Sequence, residues 1–151
     1  MAEKYFIDEK KREEIDINFG YFVDKVYRKH VSTYGEKNAS ATRNRVKNVF
    51  KDCMSLMNSD CKNKNALFIG KVQSGKTSNL EMFTAIAFDN NYKCVIIYGG
   101  YDTKLLNQTS NRFKKTFDIF EESVDCREPE LFSTDDNDVD SLEESILKNI
   151  I

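Results

Sequence analysis

The sequence predicts an α/β fold: a partial three-layer α/β/α core with parallel strands, preceded by two N-terminal helices. Three observations predict it. Residues 70–77 read Gly-Lys-Val-Gln-Ser-Gly-Lys-Thr, which fits G-x-x-x-x-G-K-[ST], the phosphate-binding P-loop. Residues 65–69 (Asn-Ala-Leu-Phe-Ile) are apolar in their last four positions, as suits a buried parallel strand. Residues 93–98 (Lys-Cys-Val-Ile-Ile-Tyr) repeat that pattern with a β-branched centre. A helical pattern follows each strand, and strand–helix–strand alternation means parallel winding with a right-handed crossover.

The first fifteen residues are highly charged and read as an extended lead-in. Phe19, Phe22, Val23, Val26, Tyr27 and His30 recur at helical spacing and predict an amphipathic helix over 18–31. His30 ends that stripe and reads as a packing or capping histidine. Residues 35–39 break the pattern. Ser40 is a good N-cap for a second helix over 40–57, with Val46, Val49, Phe50, Cys53 and Met57 on one face. Arg43, Arg45, Lys47 and Lys51 lie mostly off that face. Residues 58–64 are polar and read as a loop.

After the P-loop, Leu80, Phe83, Ala87 and Phe88 fall on one side of a third helix. Asp89-Asn90-Asn91 signals a turn. Gly99-Gly100 closes the second strand, and Asp102 or Thr103 can cap a helix over 103–117 bearing Leu106, Phe113 and Phe117, with Phe120 beyond it. Residues 129–134 suit a short strand, 135–140 a charged loop, and Ser141-Leu142-Glu143-Glu144 a capping box. The expected organisation is an N-terminal helical region, 1–64, and the first half of a P-loop domain, 65–151.

Composition bounds the rest. A chain of 151 residues with 40% hydrophobic content can bury a core. No apolar run approaches the roughly 20 residues of a membrane span, and the first residues lack a signal peptide's apolar segment, so no membrane partner and a cytoplasmic location are expected. Cys53, Cys61, Cys94 and Cys126 form no Cys-x-x-Cys pair and His30 is the sole histidine, which argues for reduced thiols and against a zinc site. Residues 1–117 carry 21 Lys and Arg against 13 Asp and Glu, a net of +8, whereas 118–151 carry two against 12, a net of −10. The basic body is compatible with nucleic-acid phosphate; the acidic stretch would repel it and reads as a solvated linker.

The P-loop assigns roles to its residues. Gly70 and Gly75 allow the chain to turn and approach phosphates without a Cβ in the way. Backbone N–H groups from Gln73, Ser74 and Gly75 through Ser78 would cradle an ATP anion at the helix N-terminus. Lys76 would reach the β- and γ-phosphates, and the Thr77 hydroxyl would bind Mg²⁺; these two are the candidate catalytic residues. A P-loop enzyme also needs an acidic residue at the end of another strand. Neither predicted strand ends in Asp or Glu; the second closes on Tyr98-Gly99-Gly100. The expectation is therefore an ATP-binding piece of a larger enzyme, inactive by itself.

The segment 68–118 resembles the start of a superfamily-two helicase-like ATPase. It is most similar to the Z-one domain family, whose members are sometimes labelled endonucleases. The resemblance rests on Val72-Gln73-Ser74-Gly75-Lys76-Thr77, then a strand, then Gln108-Thr109 with Arg112 a few residues on. It implies a DNA-directed ATPase, of nuclease or defence association, that uses ATP and Mg²⁺. It also implies that Asn107, Gln108 and Arg112 contact the nucleic-acid backbone. The residues alone leave two alternatives: a nucleotide-binding module without catalysis, and a small P-loop kinase.

Overall fold

The computed structural model describes residues 9–57, 75–93, 95–97 and 103–117. They form five helices: α1 (Glu9–Glu14), α2 (Tyr21–Tyr34), α3 (Glu36–Met57), α4 (Lys76–Asp89) and α5 (Thr103–Phe117). Each of α2, α3 and α4 packs on the other two, α1 lies against α3, and α5 lies against α4.

The predicted α/β fold is corrected here, because the described residues are all-helical and hold no strand. The strand expected at 65–70 lies outside them, as do the features expected beyond 117. The strand expected at 93–98 meets the structure directly: Lys93 and 95–97 are not in a strand, and Ile96 is 68% exposed. A β-branched run becomes a strand only when a neighbouring strand offers it a hydrogen-bonding row and a face to pack on. Here the surface such a sheet would cover is taken by helices. Met82, Ala85, Ile86 and Ala87 of α4 are buried with Val23 and Val26 of α2 and with Val46 and Phe50 of α3.

Helix α4 is the centre of this packing. Its buried residues are Asn79, Glu81, Met82, Thr84, Ala85, Ile86 and Ala87, spread around most of its circumference as in a core helix. The one-sided stripe expected of Leu80, Phe83, Ala87 and Phe88 gives way to this. Leu80 is exposed, and Phe83 and Phe88 are half-buried. The Phe50 ring sits 5.2 Å from that of Phe83 and 5.8 Å from that of Tyr92, within the range of favourable aromatic pairs.

The helices begin and end for local reasons. A single residue, Gly35, separates α2 from α3. It adopts φ +80°, which glycine reaches without a Cβ penalty, and its N–H donates to Val31 O at 2.9 Å. The chain re-enters a helix at once, since Ala39 N donates to Gly35 O at 3.0 Å. Ser40 therefore lies inside α3 rather than capping it. Arg43 stacks over the Tyr27 ring at 4.1 Å and reaches Phe19 at 5.7 Å, so a residue expected mostly off the apolar face of its helix seals the α2–α3 seam. The charged lead-in contains the short α1, tied to α3 by the ion pair of Arg12 with Asp52.

Candidate functional site

The described part of the P-loop sequence opens α4. Gly75 is the N-cap, in the left-handed conformation at φ 73° and ψ 30°. Its carbonyl accepts the first helical bond from Asn79 N at 3.1 Å. Lys76 is exposed, and Thr77 and Ser78 are half-buried within the first turn. Nothing lies within 4 Å of where a Cβ on Gly75 would stand, so the space before the helix is open among the described residues. Gly70, Gln73 and Ser74 lie outside the described residues.

Three of the described helices, α2, α3 and α4, start after a glycine that offers no side-chain acceptor, and α2 and α4 differ in what meets their N-termini. At α2 the Asp89 carboxylate accepts from the N–H groups of Gly20, Phe22 and Val23 at 2.8, 3.1 and 2.9 Å. That anion answers the unpaired donors and the positive end of the helix dipole. At α4 the first turn holds no acidic residue and Gly75 makes no side-chain cap. The arrangement suits an anion from outside.

The residues expected to touch nucleic acid share the outward side of α5. Asn107, Gln108 and Arg112 are exposed. Exposed Lys104, Asn111, Lys114 and Lys115 accompany them, and α5 contains no acidic residue. Its inward side carries Phe113 and Thr116, both buried, and Phe117, whose ring lies 5.9 Å from that of Phe88 on α4.

Sequence reasoning missed a buried polar cluster that joins α4 to α2 and α5. Glu81, 4% exposed, is its centre. His30 Nε2 lies 3.0 Å from Glu81 Oε2, and Lys29 Nζ lies 3.5 Å from Oε1. The Thr116 hydroxyl approaches Oε1 at 2.9 Å and also contacts Lys29 Nζ. Burial pushes the Glu81 carboxyl up. The His30 hydrogen bond, the Lys29 charge and the Thr116 hydroxyl together outweigh burial and hold it below the usual carboxylate range. A signal was present: Glu81 is the sole charged residue between Lys76 and Asp89. A lone acid in an otherwise uncharged core helix needs partners.

His30 is thus a packing histidine with a polar task. Asn79 is also buried, and its Oδ1 has no hydrogen-bond partner among the described residues. An amide oxygen left so accepts from a water or a cation, not from a phosphate oxygen. The half-buried Cys53 is a free thiol, pushed up by burial and then by the neighbouring Asp52 charge, which makes it a poor nucleophile. No group of metal-ligating residues occurs among the described residues, and none of their helices is long and apolar enough to cross a membrane. Comparison of the chain with protein families, curated proteins and solved structures finds no match.

Proposed function

We propose that this chain binds a nucleoside triphosphate with Mg²⁺ at the first turn of α4, as the nucleotide-holding part of a nucleic-acid-directed ATPase. The carrying observation is the start of α4, where the N-cap Gly75 offers no side-chain cap. A left-handed Gly75, with no described atom within 4 Å of where its Cβ would stand, leads into Lys76 and Thr77 in a turn without acidic residues. These residues fit the group. Gly75 and the helix N-terminus suit phosphate oxygens, Lys76 brings a positive charge, and the Thr77 hydroxyl suits a Mg²⁺ ligand. Bound Mg²⁺ would supply charge neutralisation at the terminal phosphates.

The support is the motif and the helix it opens, not strand alternation. The nucleic-acid part of the proposal rests on the exposed, acid-free side of α5. Chemistry is expected to be weak. Phosphoryl transfer needs several groups placed at once, and Glu81, one turn beyond Thr77, is sealed among His30, Lys29 and Thr116.

Calorimetry of the 151-residue chain with Mg·ATP tests the reading. Binding is expected, weakened by Lys76→Ala with or without metal and by Thr77→Ala only with Mg²⁺. Binding indifferent to Lys76→Ala overturns it. A turnover of about one per second, ordinary for enzymes, from this chain with DNA would overturn the expectation of weak chemistry.

A further inference from the structure

A contiguous series of contacts runs from the first turn of α4 to the middle of α5. Ser78 Oγ donates to the Tyr34 hydroxyl at 3.2 Å. The Tyr34 ring packs edge-on against His30, with centroids 5.7 Å apart. His30 Nε2 holds Glu81 Oε2 at 3.0 Å. Thr116 Oγ1 lies 2.9 Å from Glu81 Oε1 and 2.7 Å from the Arg112 carbonyl. Ser78 closes the candidate phosphate turn, and Arg112 stands among the exposed basic and amide residues of α5.

From this series we infer that Glu81 and Thr116 form a relay that makes the docking of α5 respond to what binds at the start of α4; the inference rests on the phosphate reading above. Two physical features carry it. Glu81 is an ionised carboxylate in the core, and its partners come from α2 and α5 rather than from its own helix. A small movement of α4 must therefore carry those partners along or leave a buried charge underpaired, a strongly unfavourable outcome. The Thr116 hydroxyl has one proton and two acceptors, Glu81 Oε1 and the Arg112 carbonyl. It donates to one at a time. Donation to Glu81 ties α5 to α4, and donation to Arg112 O turns the hydroxyl back onto its own helix. These are two discrete arrangements of the kind that coupling between sites requires.

The test is hydrogen exchange of the α5 amides in the full chain, with and without saturating Mg·ATP, beside calorimetry on the same samples. Wild type, Thr116→Val and Tyr34→Phe are compared. Valine keeps the shape of threonine without its hydroxyl, and Tyr34 is half exposed; circular dichroism of both variants first checks that each keeps the helical fold. Mg·ATP is expected to slow exchange across Thr103–Phe117 by about fivefold or more, the lower end of ordinary couplings. Thr116→Val should abolish that response while leaving ATP affinity within about threefold, well inside one tenfold step of 1.4 kcal/mol. Tyr34→Phe should reduce it. ATP binding with no change in α5, or a response that survives Thr116→Val, overturns the relay and leaves the phosphate reading standing. Absence of heat with Mg·ATP overturns both, and the calorimetry separates the two failures.

Discussion

The Asp89 carboxylate caps the start of a different helix, accepting the Gly20 N–H at 2.8 Å. Asp89 is the last residue of α4, and Gly20 is the N-cap of α2. Asn90 completes the joint: its Oδ1 accepts from Asn18 N at 2.9 Å and its Nδ2 donates to Asn18 O at 3.0 Å. A turn signal in the sequence is thus also the device that fixes the α2–α4 angle.

Asp89→Ala is expected to destabilise the fold by about 1–2 kcal/mol, the upper range for a lost cap, and Asp89→Asn by less, because its amide oxygen still accepts. Gly20→Ala should also destabilise. Its Cβ would stand 2.9 Å from Asp89 Oδ1, an oxygen that accepts from Phe22 N in a carboxylate held by three donors. Urea titrations followed by helical circular dichroism measure all three. An Asp89→Ala variant as stable as wild type would show the cap to be dispensable.

Gly75→Ala isolates a conformational cost. Since nothing among the described residues crowds the added methyl, the loss is that of a left-handed alanine, about 1–2 kcal/mol. Anion affinity should fall alongside, because the methyl occupies the space before the helix. Thermal melts with and without tripolyphosphate report both effects; full affinity in this variant contradicts the site.

His30→Ala removes the 3.0 Å partner of a buried carboxylate and is expected to cost about 3 kcal/mol, in the range for breaking a buried pair. Glu81→Gln should cost less, since glutamine carries no charge into the core. Denaturant midpoints compare the two; equal losses would mean that the Glu81 charge is immaterial.

Stability should depend on pH through Glu81. Its folded carboxyl lies below the ordinary value of 4.5, so the unfolded chain binds the proton more tightly. The stabilisation is fully present above about pH 4.5 and is lost as pH falls through the folded value. Melting temperatures from pH 7 to pH 3 should fall less steeply in Glu81→Gln than in wild type. Parallel curves would assign the acid sensitivity elsewhere.

Ile96→Glu separates the observed fold from the predicted one. At 68% exposure, the substitution should change stability by no more than about 0.5 kcal/mol, as at ordinary surface sites. A loss of several kcal/mol would put Ile96 back in a buried strand. Denaturant titration decides.

The sequence by itself determined where α2, α3, α4 and α5 lie, though not α1, which falls in the segment read as an extended lead-in. Apolar spacing located α2 and α3 to within three or four residues, and the strongly amphipathic α5 coincided with 103–117, because a 3.6-residue period is a local property of the chain. It also placed Gly75 and Lys76 at a helix start, and α4 begins at Lys76 with Gly75 as its N-cap. Only the tertiary structure decided whether 95–97 would pair as a strand. Strand formation depends on a neighbour that no local window contains, and the helices surround α4 instead. The Glu81 cluster and the Asp89 cap were decided the same way. Glu81 meets His30 and Thr116 across 51 and 35 residues, and Asp89 meets Gly20 across 69. Which distant donors a buried carboxylate finds is fixed by how the helices pack, not by the residues beside it.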